Sequence, residues 1–301
     1  MPAVAAVRPD AVFAPATWAD LRRVSRWRGV WLVAHAWGSI ALILALAVWL
    51  GPFSWPFAIA LIGGRQLGLA ILMHDAAHGL LHPNRALNNW LGQWASGVAV
   101  GSDLKAYRTY HLAHHRFTQQ PEDPDLSLSA PFPTSRASLW RKVARDLSGR
   151  TFLKQRGAQL RIAVRGEGPL RSAFLRFVGF QLGLLALSLL LWGWTPFLLW
   201  LVSLATTFQL ALRVRNIAEH ACTATGPGDP FSHARTTRAN WLERALVAPY
   251  WVNFHAEHHL FMGLPCYRLP AAHAALVKDG HAERLTIAPG YASVLRMVTA
   301  P

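Results

Sequence analysis

Four stretches of this chain are apolar over roughly the thickness of a bilayer, and they come in pairs. Residues 30–50 are 21 positions with His35 as the sole titratable group. At about 1.5 Å rise per residue such a helix crosses about 30 Å of hydrocarbon. Gly51-Pro52-Phe53-Ser54-Trp55-Pro56 then turns the chain back into a second apolar run, 56–73. The layout recurs with 174–192, the turn Gly193-Trp194-Thr195-Pro196, and 197–212. Trp49, Trp55, Trp192 and Trp194 flank the two turns, where interfacial aromatics belong. With 52% hydrophobic residues the chain is too apolar for an ordinary soluble domain. The pattern predicts an all-α membrane protein with four transmembrane helices in two hairpins. A helical cap would be built from 74–172 and 213–290, the whole chain 1–301 forming one membrane-embedded domain.

A formal charge of +15 would point to nucleic acid in a soluble protein. Its distribution argues otherwise. The two turns hold no Lys or Arg, and 29 of the 30 basic residues lie before the first run, around 85–176, or from Arg213 onward. Four spans put those three regions on one side, and the positive-inside rule makes that side cytoplasmic. The cap and both termini are therefore expected in the cytoplasm, with no nucleic-acid partner. Arg-rich, Lys-poor composition suggests a bacterial inner membrane. The first run is too long for a signal peptide, so it is expected to stay as a span.

The remaining segments carry weaker signals. Residues 1–29 are expected to lie on the membrane surface without a fold of their own. Arg65 falls inside the second run, about half a turn round from His74, and is expected to be paired or snorkelling beside Gly63 and Gly64. Leu87, Trp90, Leu91, Trp94 and Val98 recur at helical spacing after Pro83-Asn84, which predicts an interfacial helix. The Arg-rich stretch 136–171 reads as surface helix facing anionic lipid. Cys222 and Cys266 match no CxxC spacing and read as reduced structural thiols.

The histidines carry the chemistry. His111-Leu112-Ala113-His114-His115 and His255-Ala256-Glu257-His258-His259 share the pattern HxxHH. With this histidine content one copy arises by chance in about 3% of such chains, and two are rarer still. On a helix the imidazoles of each box project from one face, offering half a coordination shell for iron, copper, nickel or zinc. His74-Asp75-Ala76-Ala77-His78 stands where the second run leaves the membrane, and Asn216-Ile217-Ala218-Glu219-His220 follows the fourth. Together His74, His78, His111, His114, His115, His220, His255, His258 and His259 are too many for one ion and enough for two, with room for water or dioxygen. Ligating imidazoles donate their second N–H to a carboxylate or carbonyl. Asp75, Asp123, Asp125, Glu219 and Glu257, within or beside these segments, are the expected partners. His35, His82, His233, His273 and His281 match no ligand spacing and are expected to be ordinary interface or surface residues. A haem protein or metal transporter would place its ligands within the spans or near the midplane, which this edge-bound set does not.

HDAAH, HLAHH followed by DPD, and HAEHH followed by LPCYRLP resemble, in order, the three histidine boxes of the integral-membrane fatty acid desaturase and hydroxylase superfamily. The resemblance runs from about Ile71 to Leu269. Asn216 and His220 resemble the N-x3-H element that supplies a ninth histidine and a water-bridging asparagine in related desaturases. The resemblance implies a four-span bundle whose cytosolic cap holds two iron ions. It further implies oxygen-dependent introduction of a double bond into the acyl chain of a lipid. HDAAHG and the HxxHH-to-DPD spacing are also similar to carotenoid ketolases and hydroxylases, so a hydroxylase or ketolase on a lipid or carotenoid is the alternative. No Glu-x-x-His occurs, which argues against the soluble di-iron bundle type. No GxGxxG fingerprint and no cysteine set for an iron–sulfur cluster occurs either. Electrons are therefore expected from an external donor, such as a small acidic ferredoxin drawn to the basic face.

Overall fold

In the computed structural model, which describes residues 4–166, 168–226 and 228–299, four helical segments are long and apolar enough to cross a membrane. They are Arg28–Leu50, Pro52–His78, Pro169–Trp192 and Thr195–His220. In chain order the α-helices are α1 (Pro15–Leu21), α2 (Arg28–Leu50), α3 (Trp55–His78), α4 (Arg85–Gly92), α5 (Leu104–Phe117), α6 (Leu126–Ser129), α7 (Arg136–Leu147), α8 (Arg150–Arg165), α9 (Pro169–Trp192), α10 (Thr195–Ala205), α11 (Thr207–His220), α12 (Trp241–Leu246), α13 (His255–Leu260), α14 (Leu269–Lys278) and α15 (Tyr291–Met297). The short strands β1 (Arg235–Thr237) and β2 (Thr286–Ala288) pair in parallel.

The axis of the molecule is α3. Its most apolar stretch is 61% buried, against 11% for α9, whose leucines face outward. Helices α2, α4, α5, α10, α11 and α12 all pack on it. The second apolar run was expected to end at 73, but Asp75, Ala76 and Ala77 contain no helix breaker, and α3 continues to His78. It stops at Gly79, whose φ of 83° and backbone bonds to Ala76 and, through Leu80, to Asp75 form a left-handed cap. The fourth run likewise extends from 212 to His220, but with a break at Thr206 (φ −122°, ψ −82°) between α10 and α11. The break is chemically supported: Thr206 Oγ1 donates to Val202 O, and Gln209 Nε2 donates to Leu204 O. Thr207 Oγ1 crosses to Ile59 O of α3 at 2.7 Å.

Two expectations need correcting. The segment before residue 29 has structure: α1 forms, and Val12, Phe13 and Leu21 are buried. The Phe13 ring sits 5.0 Å from that of Phe261, and Arg268 forms a two-pronged ion pair with Asp20. Three apolar residues give too little periodicity to announce such a contact. The Arg-rich stretch is two helices, α7 and α8, parted at Gly149 (φ 74°). It is not uniformly basic on its surface, since Trp140, Leu147, Leu153, Leu160, Ile162 and Val164 are exposed on it.

Other segments follow their sequence signals. Asn84 caps α4 by accepting from Leu87 N, and the chain continues through a π-helical turn (Gln93–Gly97) with Leu87, Trp90 and Trp94 exposed and Leu91 and Val98 buried. Arg65 is paired: its guanidinium donates to Arg244 O and Ala245 O at the end of α12 and lies 5.9 Å from the Tyr250 ring. Gly64 permits that approach, because a Cβ there would stand 2.2 Å from Ala245 O. Gly64→Val is therefore expected to cost about 1–3 kcal/mol by overpacking, read as a lower unfolding midpoint in detergent. Gly38→Val, where a Cβ meets nothing within 4 Å, is the control; equal midpoints would refute the packing account.

Candidate metal centre

Nine histidines converge from four elements: the ends of α3 and α11, the middle and end of α5, and α13. They sort into two groups. His74, His78, His111, His115 and His258 form one; His114, His220, His255 and His259 form the other. Within each group one ring nitrogen per residue lies within 4.8 Å of all the others. Neither HxxHH box serves one group alone. On a helix, residues i and i+4 nearly eclipse while i+3 is offset. His111 and His115 thus stay together with the i,i+4 pair His74 and His78, and the offset His114 crosses to the other group. In α13 the pair His255 and His259 stays, and His258 crosses back. His220 completes the four-membered group.

The geometry within the second group is compact enough for one metal ion. Its Nε2 atoms form a ring: His114–His220 3.2 Å, His220–His255 3.0 Å, His255–His259 3.0 Å and His259–His114 3.3 Å. In the first group His115 Nε2 lies 2.9 Å from His111 Nε2 and 3.0 Å from His258 Nε2. Two imidazoles bound at right angles with metal–nitrogen bonds of about 2.1 Å stand about 3.0 Å apart. The opposite ring nitrogens fix the tautomer. Nδ1–H of His114 donates to Asp123 Oδ1 at 2.7 Å and that of His220 to His233 O at 3.1 Å, while His255 Nδ1 lies 3.2 Å from Glu219 Oε1. His259 Nδ1 donates to Thr118 Oγ1 at 3.2 Å, whose own proton goes to His114 O. With every Nδ1 of this group facing an oxygen outside the ring of four, the Nε2 atoms converge on one another, an arrangement that a cation between them favours. Among the described residues His74 Nδ1 and Nε2 and His78 Nε2 are buried without a hydrogen-bond partner, which fits the same need.

The acidic residues divide. Asp123 and Glu219 reach ring nitrogens of the cluster, and Glu219 is held by Arg215 at 2.6 Å. Asp125 stands 3.8 Å from His114 Nδ1 and takes the Tyr110 hydroxyl. Asp75 lies 3.6 Å from His74 Nδ1 and accepts from the Cys266 backbone at 3.0 Å. Glu257 turns away from the rings and accepts from Thr236 and from His273 Nδ1 at 2.6 Å. His273 and His233, read as ordinary residues, thus anchor the centre from outside, one by its ring and one by its carbonyl. Asn216 is half-buried and lines a cavity of about 30 Å³ with His111, His114, His220 and His255. Tyr107, also on that wall, stacks on His111 with centroids 5.2 Å apart. The sequence gives no signal for it beyond its place one turn before the second box, as Arg215 sits one turn before Glu219.

Burial, followed by the neighbouring imidazoles, pushes His111, His115, His258 and His259 well below the usual 6.5; for His255 burial and His220 act likewise. These rings stay neutral and able to ligate at neutral pH. In the unfolded chain they protonate near 6.5, so below that pH the unfolded state binds more protons than the folded one. The unfolding midpoint of the metal-free protein is expected to be flat above about pH 6.5 and to fall with acidification below it. A midpoint that rises on acidification would contradict the buried-neutral assignment. Asp123→Asn is expected to weaken metal retention about 10–100-fold in chelator competition, with His82→Ala unchanged as control. A loaded stoichiometry of two ions per chain is the companion expectation, and a single ion would dismiss the two-group geometry.

The fatty acid desaturase family model matches residues 51–290. The chain is 29% identical over 272 residues to dihydrorhizobitoxine desaturase of Bradyrhizobium elkanii, covering 83% of this chain and 72% of that protein. It is 29% identical to zeaxanthin 4-ketolase of Chlamydomonas reinhardtii, over 80% of this chain and 48% of that protein. It is 26% identical to a beta-carotene ketolase of Paracoccus sp., over 76% and 79% respectively. A buried double histidine cluster and a family match spanning most of the sequence lead to one conclusion: the chain belongs to the fatty acid desaturase family.

Proposed function

We propose that this protein is a membrane-bound, oxygen-dependent di-iron oxidoreductase that introduces a double bond into the acyl chain of a lipid. The observation that carries the reading is the pair of adjacent histidine groups, buried where the apolar helices end. His74, His78, His111, His115 and His258 would hold one iron and His114, His220, His255 and His259 the other. Asn216 would hold a water beside them. The irons would supply the oxidising power. Removal of two hydrogens from adjacent carbons, with dioxygen, two electrons and two protons, yields an alkene and two waters.

The chain's own residues have simpler tasks. Asp123, Thr118 and the His233 carbonyl hold His114, His259 and His220 in the tautomer that points Nε2 inward, and Glu219 lies beside His255 Nδ1. Arg215 holds Glu219 in place by a direct ion pair. Burial of the rings excludes bulk water that would consume the oxidant. In this reading the four apolar helices form two hairpins in a bacterial inner membrane, and the uneven charge supports a cap, metal centre and both termini on its cytoplasmic side. The chain acts as one domain, 1–301, and takes its electrons from an external donor such as an acidic ferredoxin.

The ketolase relatives give the second reading its footing: oxygen insertion into a lipid or carotenoid at the same site. Mass spectrometry of total lipids from a host making the protein, against His115→Ala, decides between them. A product two hydrogens lighter, seen only with the wild type, is expected. A product heavier by oxygen would replace desaturation with hydroxylation or ketolation, and no product difference would remove the enzymatic reading.

A further inference from the structure

A second cavity opens beside the centre, and its lining is unlike that of a site for a neutral molecule. It measures about 470 Å³, within the usual range of small-molecule sites. Its apolar lining is Leu128, Pro131, Phe132, Ala158 and Ile217. Its rim carries Lys142, Arg145, Lys154 and Arg213, and no carboxylate is among its lining residues. Leu128 and Asn216 belong both to this cavity and to the 30 Å³ cavity walled by His111, His114, His220 and His255. The cationic cavity is therefore the neighbour of the metal centre, separated from it by two shared side chains.

The charges are only partly compensated. Arg213 is spoken for by Asp146, which also takes the Thr151 hydroxyl. Lys142 donates to Ser138 Oγ at 2.8 Å and lies 5.6 Å from the Phe132 ring, so its charge is held but not neutralised. Arg145 and Lys154 are exposed on α7 and α8. Burial, then Arg213, Arg141 and Arg145, lowers the Lys142 pKa, the signature of cations crowded together. Like charges at one rim repel, and an anion entering the concavity relieves that repulsion while its apolar part covers the apolar lining.

We propose that this cavity binds the anionic head group, carboxylate or phosphate, of an amphiphilic substrate whose apolar part passes Leu128 and Asn216 to the metal centre. The proposal rests on the oxidoreductase reading and narrows its substrate class: a neutral polyene gains nothing from these four cations. An acidic electron-donor protein would also be attracted here, but it has no use for a concave, apolar lining that leads to the histidines.

Binding, read without turnover, tests the proposal independently of the reaction. The metal-loaded full-length protein in phosphatidylcholine nanodiscs would be titrated with decanoate, decyl phosphate and decanol. At least one of the two anions is expected to bind about tenfold or more tighter than decanol, with the stronger of them naming the head group, and to weaken as salt is added. The double variant Arg145→Gln/Lys154→Gln is expected to lose that tenfold preference, and Arg145→Lys/Lys154→Arg to keep it. Both positions are exposed, so folding is not at stake. Equal affinity for decanol, or a variant that keeps the anion preference, overturns the proposal. So does a variant with unchanged ligand affinity and slowed reduction by ferredoxin, which would make the rim a donor-docking surface. Because no product is measured, failure of the di-iron reading would appear in the lipid analysis and leave this binding result standing.

Discussion

The structure depends on a crowding of ring nitrogens that folding alone does not relieve. Four imidazoles of one group turn Nδ1 toward oxygens outside the ring, so their Nε2 atoms meet at 3.0–3.3 Å around a common centre. Protonating a ring would place a buried charge among them, which desolvation opposes. A metal cation is the remaining way to make the arrangement favourable. Because the metal binds the folded arrangement and not the open chain, its binding energy becomes folding energy for the elements that supply the ligands. The short α13 is where this matters most. It is six residues long, preceded by Tyr250 and Trp251 with φ of 52° and 58°, and two such left-handed residues cost free energy that contacts must offset.

Helix periodicity explains how four segments make two sites. A box of type HxxHH offers two registers at once, i with i+4 and the offset i+3. When α5 and α13 face each other, each contributes a pair to the nearer group and a single histidine to the farther one. The two groups are thereby bound into one object: neither box can move without disturbing both. The long α3 adds a further tie, since one uninterrupted helix is at once the most buried apolar segment and the carrier of His74 and His78.

Much of this was legible in residues, and the rest was hidden for identifiable reasons. Four apolar runs and two HxxHH boxes are periodic signals, and periodicity survives translation into helices. It reveals a face but not the partner of that face, so the exchange of His114 and His258 between groups could not be read. Asp123 lies beside its box in sequence, yet it reaches His114 only because Gln119 adopts φ 59° and bends the chain back, its own N–H donating to Asp123. Glu257 lies inside a box and still turns away, since its neighbours His255 and His258 occupy the inward face. The His233 carbonyl is invisible to any reading of side chains. Thr206 breaks the fourth run because its hydroxyl and that of Thr207 bond to carbonyls, and threonine within an apolar run signals a break no more strongly than it signals continuity.

The position of the centre at the ends of apolar helices has a chemical consequence. The proposed removal of hydrogen from an unactivated carbon demands an oxidant that water or loose side chains would otherwise consume, so such chemistry needs a site that is dry yet polar enough to hold charge. Most of the nine rings are buried, and the second group's anchors are short and directional. The cations that give the chain its +15 charge are spent elsewhere: Arg65 on the end of α12, Arg268 on Asp20, and Arg213 on Asp146. Three cations stand beside the centre, each held by its own partner: Arg215 by Glu219, Arg108 by the carbonyls of Ala76 and Ala77, and Arg235 by those of Ala218 and Ala221. Arg145 and Lys154 are instead exposed on α7 and α8, where an anion can use them.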